Sequence, residues 1–132
     1  MMQKPLEVLK EYIRFPSVST DPAYIEGMTG ARKFVTSLLK QLSFTVEVVE
    51  TDLHPILLAD RIGDPAWPHV VIYGHYDVQP IDPLELWAND PFEPAIEQLP
   101  SGPVIRARGS SDDKGQLMTF VEACRAWVKQ NK

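Results

Sequence analysis

His75 and Asp77 stand one residue apart in YGHYDVQP, residues 73–80, and of all the polar side chains in this chain they are placed best for chemistry. They follow an apolar run, HVVIYG, and side chains alternate along an extended strand. Both should therefore project to one side at the C-terminal end of that strand, where open α/β sheets hold ligands. A histidine that binds a metal through one ring nitrogen needs its other N–H held by an acceptor. A carboxylate two residues on can supply that, or can steer a neighbouring acid or base. The pair also reads as a surface histidine beside a loop-capping aspartate, because short motifs recur by chance.

A second cluster, RGSSDDKG at residues 108–115, ends a strand at glycine and sets two carboxylates before a helix. Asp112 and Asp113 both suit a helix start, where free backbone N–H groups and the dipole favour negative charge. Capping needs only one acid, however, and a second so close adds repulsion unless Lys114 or a metal ion offsets it. A parallel placement of the two strands would bring His75 and Asp112 to one rim of a sheet. Imidazole plus carboxylate is a donor mixture for zinc, and acceptable to manganese or cobalt. The sequence holds no G-x-S-x-G elbow, Walker-type phosphate loop, H-E-x-x-H or G-x-G-x-x-G. His54 and His69 have no obvious partner and read as structural or solvent-facing. Trp67, Trp87 and Trp127 read as packing residues, Trp87 in a loop near the site, and Ser110 and Ser111 as turn residues.

The elements that must position these groups follow from periodicity. Leu6, Leu9 and Ile13 recur at helical spacing, and a second helix carries Met28, Ala31, Val35, Leu38 and Leu42 on one stripe, with Asp21 and Pro22 at its start. FTVEVVE (44–50), ILLADRIG (56–63) and HVVIYG (69–74) read as strands, the last apolar on both faces and so suited to a central position. Six of the 12 prolines lie between Pro80 and Pro103, which predicts a long irregular loop with a short strand near PFEPAIEQ. VIRARGS (104–110) is a further strand, and a last helix presents Leu117, Phe120, Val121, Cys124, Trp127 and Val128 on one face. The order predicts an α/β fold with a sheet of mixed direction, and one that looks unfinished.

The 132 residues, 44% hydrophobic and 23% charged, suit one ordinary globular domain. A net charge of −5 gives no footprint for nucleic acid or an anionic membrane, and no apolar run has the length of a secretory signal or a membrane span. Cys124 is the single cysteine, so no intrachain disulfide or thiolate cluster can form, and a cytoplasmic protein is expected.

Three separated motifs, YGHYDVQP, LWANDPFEP and RARGSSDDKGQ, occur in an order that resembles the M20 metallopeptidases, and within them the carnosinase-like, nonspecific dipeptidase branch. The opening EVLKEYIRFPSVSTDP is similar to that family's N-terminus. The resemblance implies a zinc-peptidase-like catalytic domain, a three-layer α/β fold with a mixed sheet between helices. It further implies a dipeptide or short-peptide substrate and two co-catalytic metal ions, commonly zinc. His75 would bind one ion, Asp112 would bridge both, and Asp77 would assist catalysis by orienting its neighbour; the peptide bond after Asp112 would be cis. The family's general base, a glutamate paired with a ligand glutamate, and its later acidic and histidine ligands have no counterpart in this sequence, which contains no Glu-Glu pair. Its separate lid or dimerisation domain, which would make the complete protein a homodimer, is also missing. Residues 1–132 are therefore expected to be the N-terminal part of a catalytic domain and inactive alone. The alternatives are a metal-dependent amidase or deacylase of N-acyl amino acids, and a non-catalytic α/β module that binds through an uncovered sheet edge.

Overall fold

Proline lacks an N–H and has a preset φ, so it suits a first helical turn, and Pro5 opens helix α1 (Pro5–Ile13) in the computed structural model, which describes residues 4–130. The helix buries Val8, Tyr12 and Ile13, while Leu6 is 43% exposed. Of the expected Leu6–Leu9–Ile13 stripe, Ile13 is buried and Leu9 packs half-buried against the core, while Leu6 lies outward and Val8 and Tyr12 join the inward face where α1 meets the last helix. Asp21 caps as predicted, its carboxylate accepting from Ala23 N, but the element it starts is one 3₁₀ turn, Pro22–Tyr24. Helix α2 (Ile25–Gln41) continues from that turn and buries Met28, Ala31, Val35 and Leu38 on the expected stripe, with Leu42 just beyond its end.

Strands β1 (Thr45–Val49) and β2 (Ile56–Asp60) form an antiparallel pair in which Val46 lies opposite Ala59. Phe44, Val46, Leu57 and Ala59 turn to the core and Ile56 and Leu58 turn outward, the alternation of a half-buried pair, while Val48, opposite Leu57 on the inward face, lies 36% exposed at the rim. Strands β3 (Ala95–Leu99) and β4 (Gly102–Arg106) make a second antiparallel pair, so the short strand foreseen near PFEPAIEQ is present. Helix α3 (Lys114–Gln130) buries Met118 and Val121 and half-buries Leu117, Phe120 and Cys124; Trp127 lies 45% exposed at the rim. The core is the meeting of the three helices under the β1–β2 pair, centred on Tyr12, Ala31, Val35, Leu39 and Val121.

The α/β class stands, but the strands do not join in one mixed sheet: among the described residues they form two separate antiparallel pairs. HVVIYG is the expected strand that does not form. Val70, Val71 and Tyr73 are 77%, 91% and 88% exposed. Strand propensity is a preference for a paired, half-buried surface, and among the described residues no strand offers residues 69–74 a ladder. The predicted parallel strands beneath the site are therefore not what positions it. No described helix is long and apolar enough to cross a membrane.

Candidate metal centre

Order begins where the apolar run ends. Val18 and Val78 form an isolated parallel bridge, with Val78 N donating to Ser17 O at 2.8 Å. The buried Ser17 hydroxyl donates to Tyr76 O, also at 2.8 Å. Residues 76–78 are thus held on both sides of Asp77 by the PSVS segment that precedes α2.

On this strip His75 and Asp77 do face each other. The Nδ1–H of His75 donates to Asp77 Oδ1 at 2.9 Å and lies 3.1 Å from Asp77 O, while Nε2 lies 3.1 Å from Asp112 Oδ1. The convergence of His75 and Asp112, 37 residues apart, is as predicted. The means differ: among the described residues no shared sheet rim is present, and the DD turn is instead brought directly to the strip. Asp113 makes that join, its Oδ2 accepting the backbone N–H of His75 at 3.0 Å. The bond between Asp112 and Asp113 is cis, as the resemblance implied.

A neutral imidazole carries one N–H and can donate to one carboxylate only. With that proton on the Asp77 side, Nε2 and Asp112 Oδ1 present lone pairs to each other, an arrangement that calls for a positive charge between them. A second proton can supply it. Burial pulls the His75 pKa down, but the hydrogen bond to Asp112 and the charge and hydrogen bonds of Asp77 outweigh it, and the net shift is upward. A divalent cation can supply it too, and the donor set fits one: a free imidazole nitrogen, its partner nitrogen tied to a carboxylate, and an Asp112 side chain that is 76% exposed. Among the described residues no three histidine, cysteine, aspartate or glutamate side chains come together for an ion. His75 Nε2 and Asp112 Oδ1 are two facing donors and not by themselves a complete ligand set.

Lys114 is not the offset for the aspartate pair. Its ammonium is fully buried and donates to Tyr12 O at 3.1 Å and Phe15 O at 2.7 Å, 4.8 Å from the centre of the Tyr12 ring. It caps the C-terminal carbonyls of α1 and fastens the start of α3 to them. Burial lowers its pKa to about 7, against the opposing pull of the Asp77 charge. Two glycines let the turn approach. Gly109 has φ +81° and its missing Cβ would stand 2.6 Å from Val78 Cγ1, while a Cβ on Gly115 would meet Ser110 O at 2.1 Å.

Sequence reasoning missed Ser17, Ser19 and the tie made by Asp113. Ser19 Oγ donates to Asp77 Oδ2 at 2.5 Å, and the ring N–H of His54 donates to Ser19 O at 2.7 Å, so His54 does have a partner. His69 is exposed, as expected. Trp87 donates its indole N–H to Ile81 O and lies under the Arg108 guanidinium, 5.1 Å away. Ser110 closes a turn onto Ala107 O. Beside His75 and Asp77 a groove of about 740 Å³ runs between β2, residues 70–74 and α3, floored by Leu39, Leu57, Leu117 and Phe120.

Residues 71–132 match the family described as Peptidase family M20/M25/M40. The Cys-Gly metallodipeptidase DUG1 of Candida albicans is 32% identical over 96% of this chain, and a succinyl-diaminopimelate desuccinylase of Stenotrophomonas maltophilia is 35% identical over 96% of it. The chain spans 28% and 31% of those proteins, less than one third of their length. Among solved structures, the dipeptidase Dug1p of Saccharomyces cerevisiae superposes with a TM-score of 0.84 at 26% identity, over 97% of this chain and 29% of that one. Human carnosine dipeptidase 1 gives a TM-score of 0.84 at 25% identity over the same shares.

Proposed function

Because this chain belongs to peptidase family M20/M25/M40, we propose that it supplies part of a metal-dependent hydrolase that cleaves the peptide bond of dipeptides or short peptides. The observation that carries this reading is the His75 ring, tied at Nδ1 to Asp77 and facing Asp112 through Nε2. In the proposal His75 and Asp112 are ligands of a two-ion zinc site, which manganese or cobalt could also fill, Asp112 bridging the ions. When bound, such ions lower the pKa of water and polarise a scissile carbonyl. The chain's own part is to keep the proton on Nδ1, so that the Nε2 lone pair stays available, and to keep Asp112 turned outward beside it. Asp113 fixes the backbone of His75 and so sets the distance between the two donors.

The proposal assigns residues 1–132 to the N-terminal part of the catalytic domain. The remaining ligands, the general base and a lid or dimerisation domain would belong to the rest of the protein, with the complete protein a homodimer. The small share of each relative that the chain spans supports this. The chain alone is then inactive, since two donors bind an ion weakly. Cytoplasmic residence is part of the same proposal and suits a sequence with one cysteine, Cys124.

A second reading, hydrolysis of N-acyl amino acids, is favoured by the desuccinylase relatives. One experiment addresses both: metal analysis of the protein extended past Lys132, with assays on a dipeptide panel and on N-acyl amino acids. We expect bound divalent metal, dipeptide turnover, and loss of that turnover in His75→Ala and Asp112→Ala. Turnover of acyl substrates alone would favour the second reading, and full activity in either variant would refute the ligand assignment.

A further inference from the structure

We infer that Ser19 is a positioning residue of this centre, holding Asp77 so that the His75 proton stays on Nδ1 and Nε2 is left free for a cation. The inference deepens the metal-centre reading above and rests on it for the role of Nε2. It starts from a competition built into the site. One ring proton is shared between two carboxylates, Asp77 at Nδ1 and Asp112 at Nε2. If the proton sits on Nε2 it donates to Asp112, and the lone pair a metal needs is gone. If it sits on Nδ1 it donates to Asp77, and the lone pair is kept.

The second alternative is favoured when Asp77 is held with a carboxylate oxygen on Nδ1, adding to the Asp77 carbonyl 3.1 Å from the same nitrogen. An aspartate has a soft terminal torsion and can swing either oxygen away. Ser19 removes that freedom: its hydroxyl donates to Oδ2 at 2.5 Å, a charge-assisted length, which leaves Oδ1 on the ring. Ser19 is itself held, since its carbonyl accepts the His54 ring N–H at 2.7 Å and its neighbour Val18 bridges Val78. A chain of hydrogen bonds therefore runs from His54 through Ser19 and Asp77 to His75, linking two parts of the chain 58 residues apart at the Ser19–Asp77 contact. The hydroxyl's hydrogen bond goes to Asp77, so its effect on a bound ion passes through Asp77.

The test compares the protein extended past Lys132 with its Ser19→Ala variant, which loses the donor, and its Ser19→Thr variant, which keeps it. Nitrogen-15 NMR of the His75 ring, recorded without metal above its titration range, reads the tautomer directly, and a Zn²⁺ titration followed on the same signals reads affinity. We expect a dominant Nδ1–H form in the parent and in Ser19→Thr. In Ser19→Ala we expect a shift toward Nε2–H and Zn²⁺ affinity weakened about tenfold, the usual scale for a lost outer hydrogen bond. An unchanged tautomer in a folded Ser19→Ala overturns the inference, as does an equal loss in Ser19→Thr, which would mark Ser19 as a packing residue. Should Ser19→Ala not fold, Ser19→Cys, similar in size with a weak donor, carries the same comparison. Failure of the parent protein to bind Zn²⁺ would count against the metal-centre reading instead, while the metal-free tautomer comparison still decides the part played by Ser19.

Discussion

Residues 69–73, an apolar run, and residues 74–78, which carry His75 and Asp77, are consecutive in the chain, yet they end in opposite states. Val71 and Tyr73 are 91% and 88% exposed, whereas Val78, five residues on, is 2% exposed. Intrinsic preference points the wrong way, since HVVIY is richer in strand-favouring residues than GHYDV, which holds a glycine and an aspartate. What separates them is whether another part of the chain meets their backbone. Residues 76–78 receive the Ser17–Ser19 segment, and His75 receives Asp113. Among the described residues no strand pairs with residues 69–73. The candidate chemistry sits wholly on the anchored side of this divide, because a ligand can be held to a fraction of an ångström only where its own partners are fixed.

The largest effect should come from the anchor that reaches furthest. Lys114→Ala removes both donors from the Tyr12 and Phe15 carbonyls and empties the space of a fully buried side chain. Urea unfolding should show a loss of about 3 kcal/mol, combining cavity formation with unmet carbonyls. Lys114→Met, which fills the space and spares the chain a buried charge, should lose less. A loss below about 1 kcal/mol for the alanine variant would mean that the start of α3 does not depend on α1, and the contrast between the two regions would weaken.

Ser17→Ala sharpens the comparison on a smaller scale. The variant leaves Tyr76 O without its donor in a buried place, at a cost of about 1–2 kcal/mol. Amide exchange at Val78, whose N–H donates to Ser17 O, should quicken with it. Unchanged exchange would show that residues 76–78 are held by something other than this segment.

How much of this was legible in the sequence follows the same divide. The α2 stripe, the Asp21 cap and the alternation of β1 and β2 were readable because each depends on residues close in sequence. His75, Asp77 and Asp112 could be picked out by type and spacing, and they do converge. The Ser19–Asp77 bond could not be read, since PSVSTDP looks like any approach to a helix and its partner lies 58 residues away. Lys114 was misread for a similar reason: beside two aspartates a lysine suggests charge balance, but its long stem carries the ammonium to the end of α1 instead. HVVIYG was misjudged because apolarity on both faces signals a strand that needs cover, and a sequence pattern does not say whether the covering elements lie within reach.

The smallest effect belongs to the exposed arm. Val71→Thr keeps the β-branched shape and changes only polarity, and at 91% exposure Val71 has almost no burial to lose. Stability should therefore stay within about 0.5 kcal/mol of the parent in urea unfolding, against several times that for the anchored positions. The same substitution should reduce binding of an apolar dye, because Val70, Val71 and Tyr73 together present an uncovered apolar surface. A loss above 1 kcal/mol would place Val71 in a packed environment and remove the distinction between residues 69–73 and 74–78. A null result on stability would leave it intact and locate the fold's free energy on the side that carries His75.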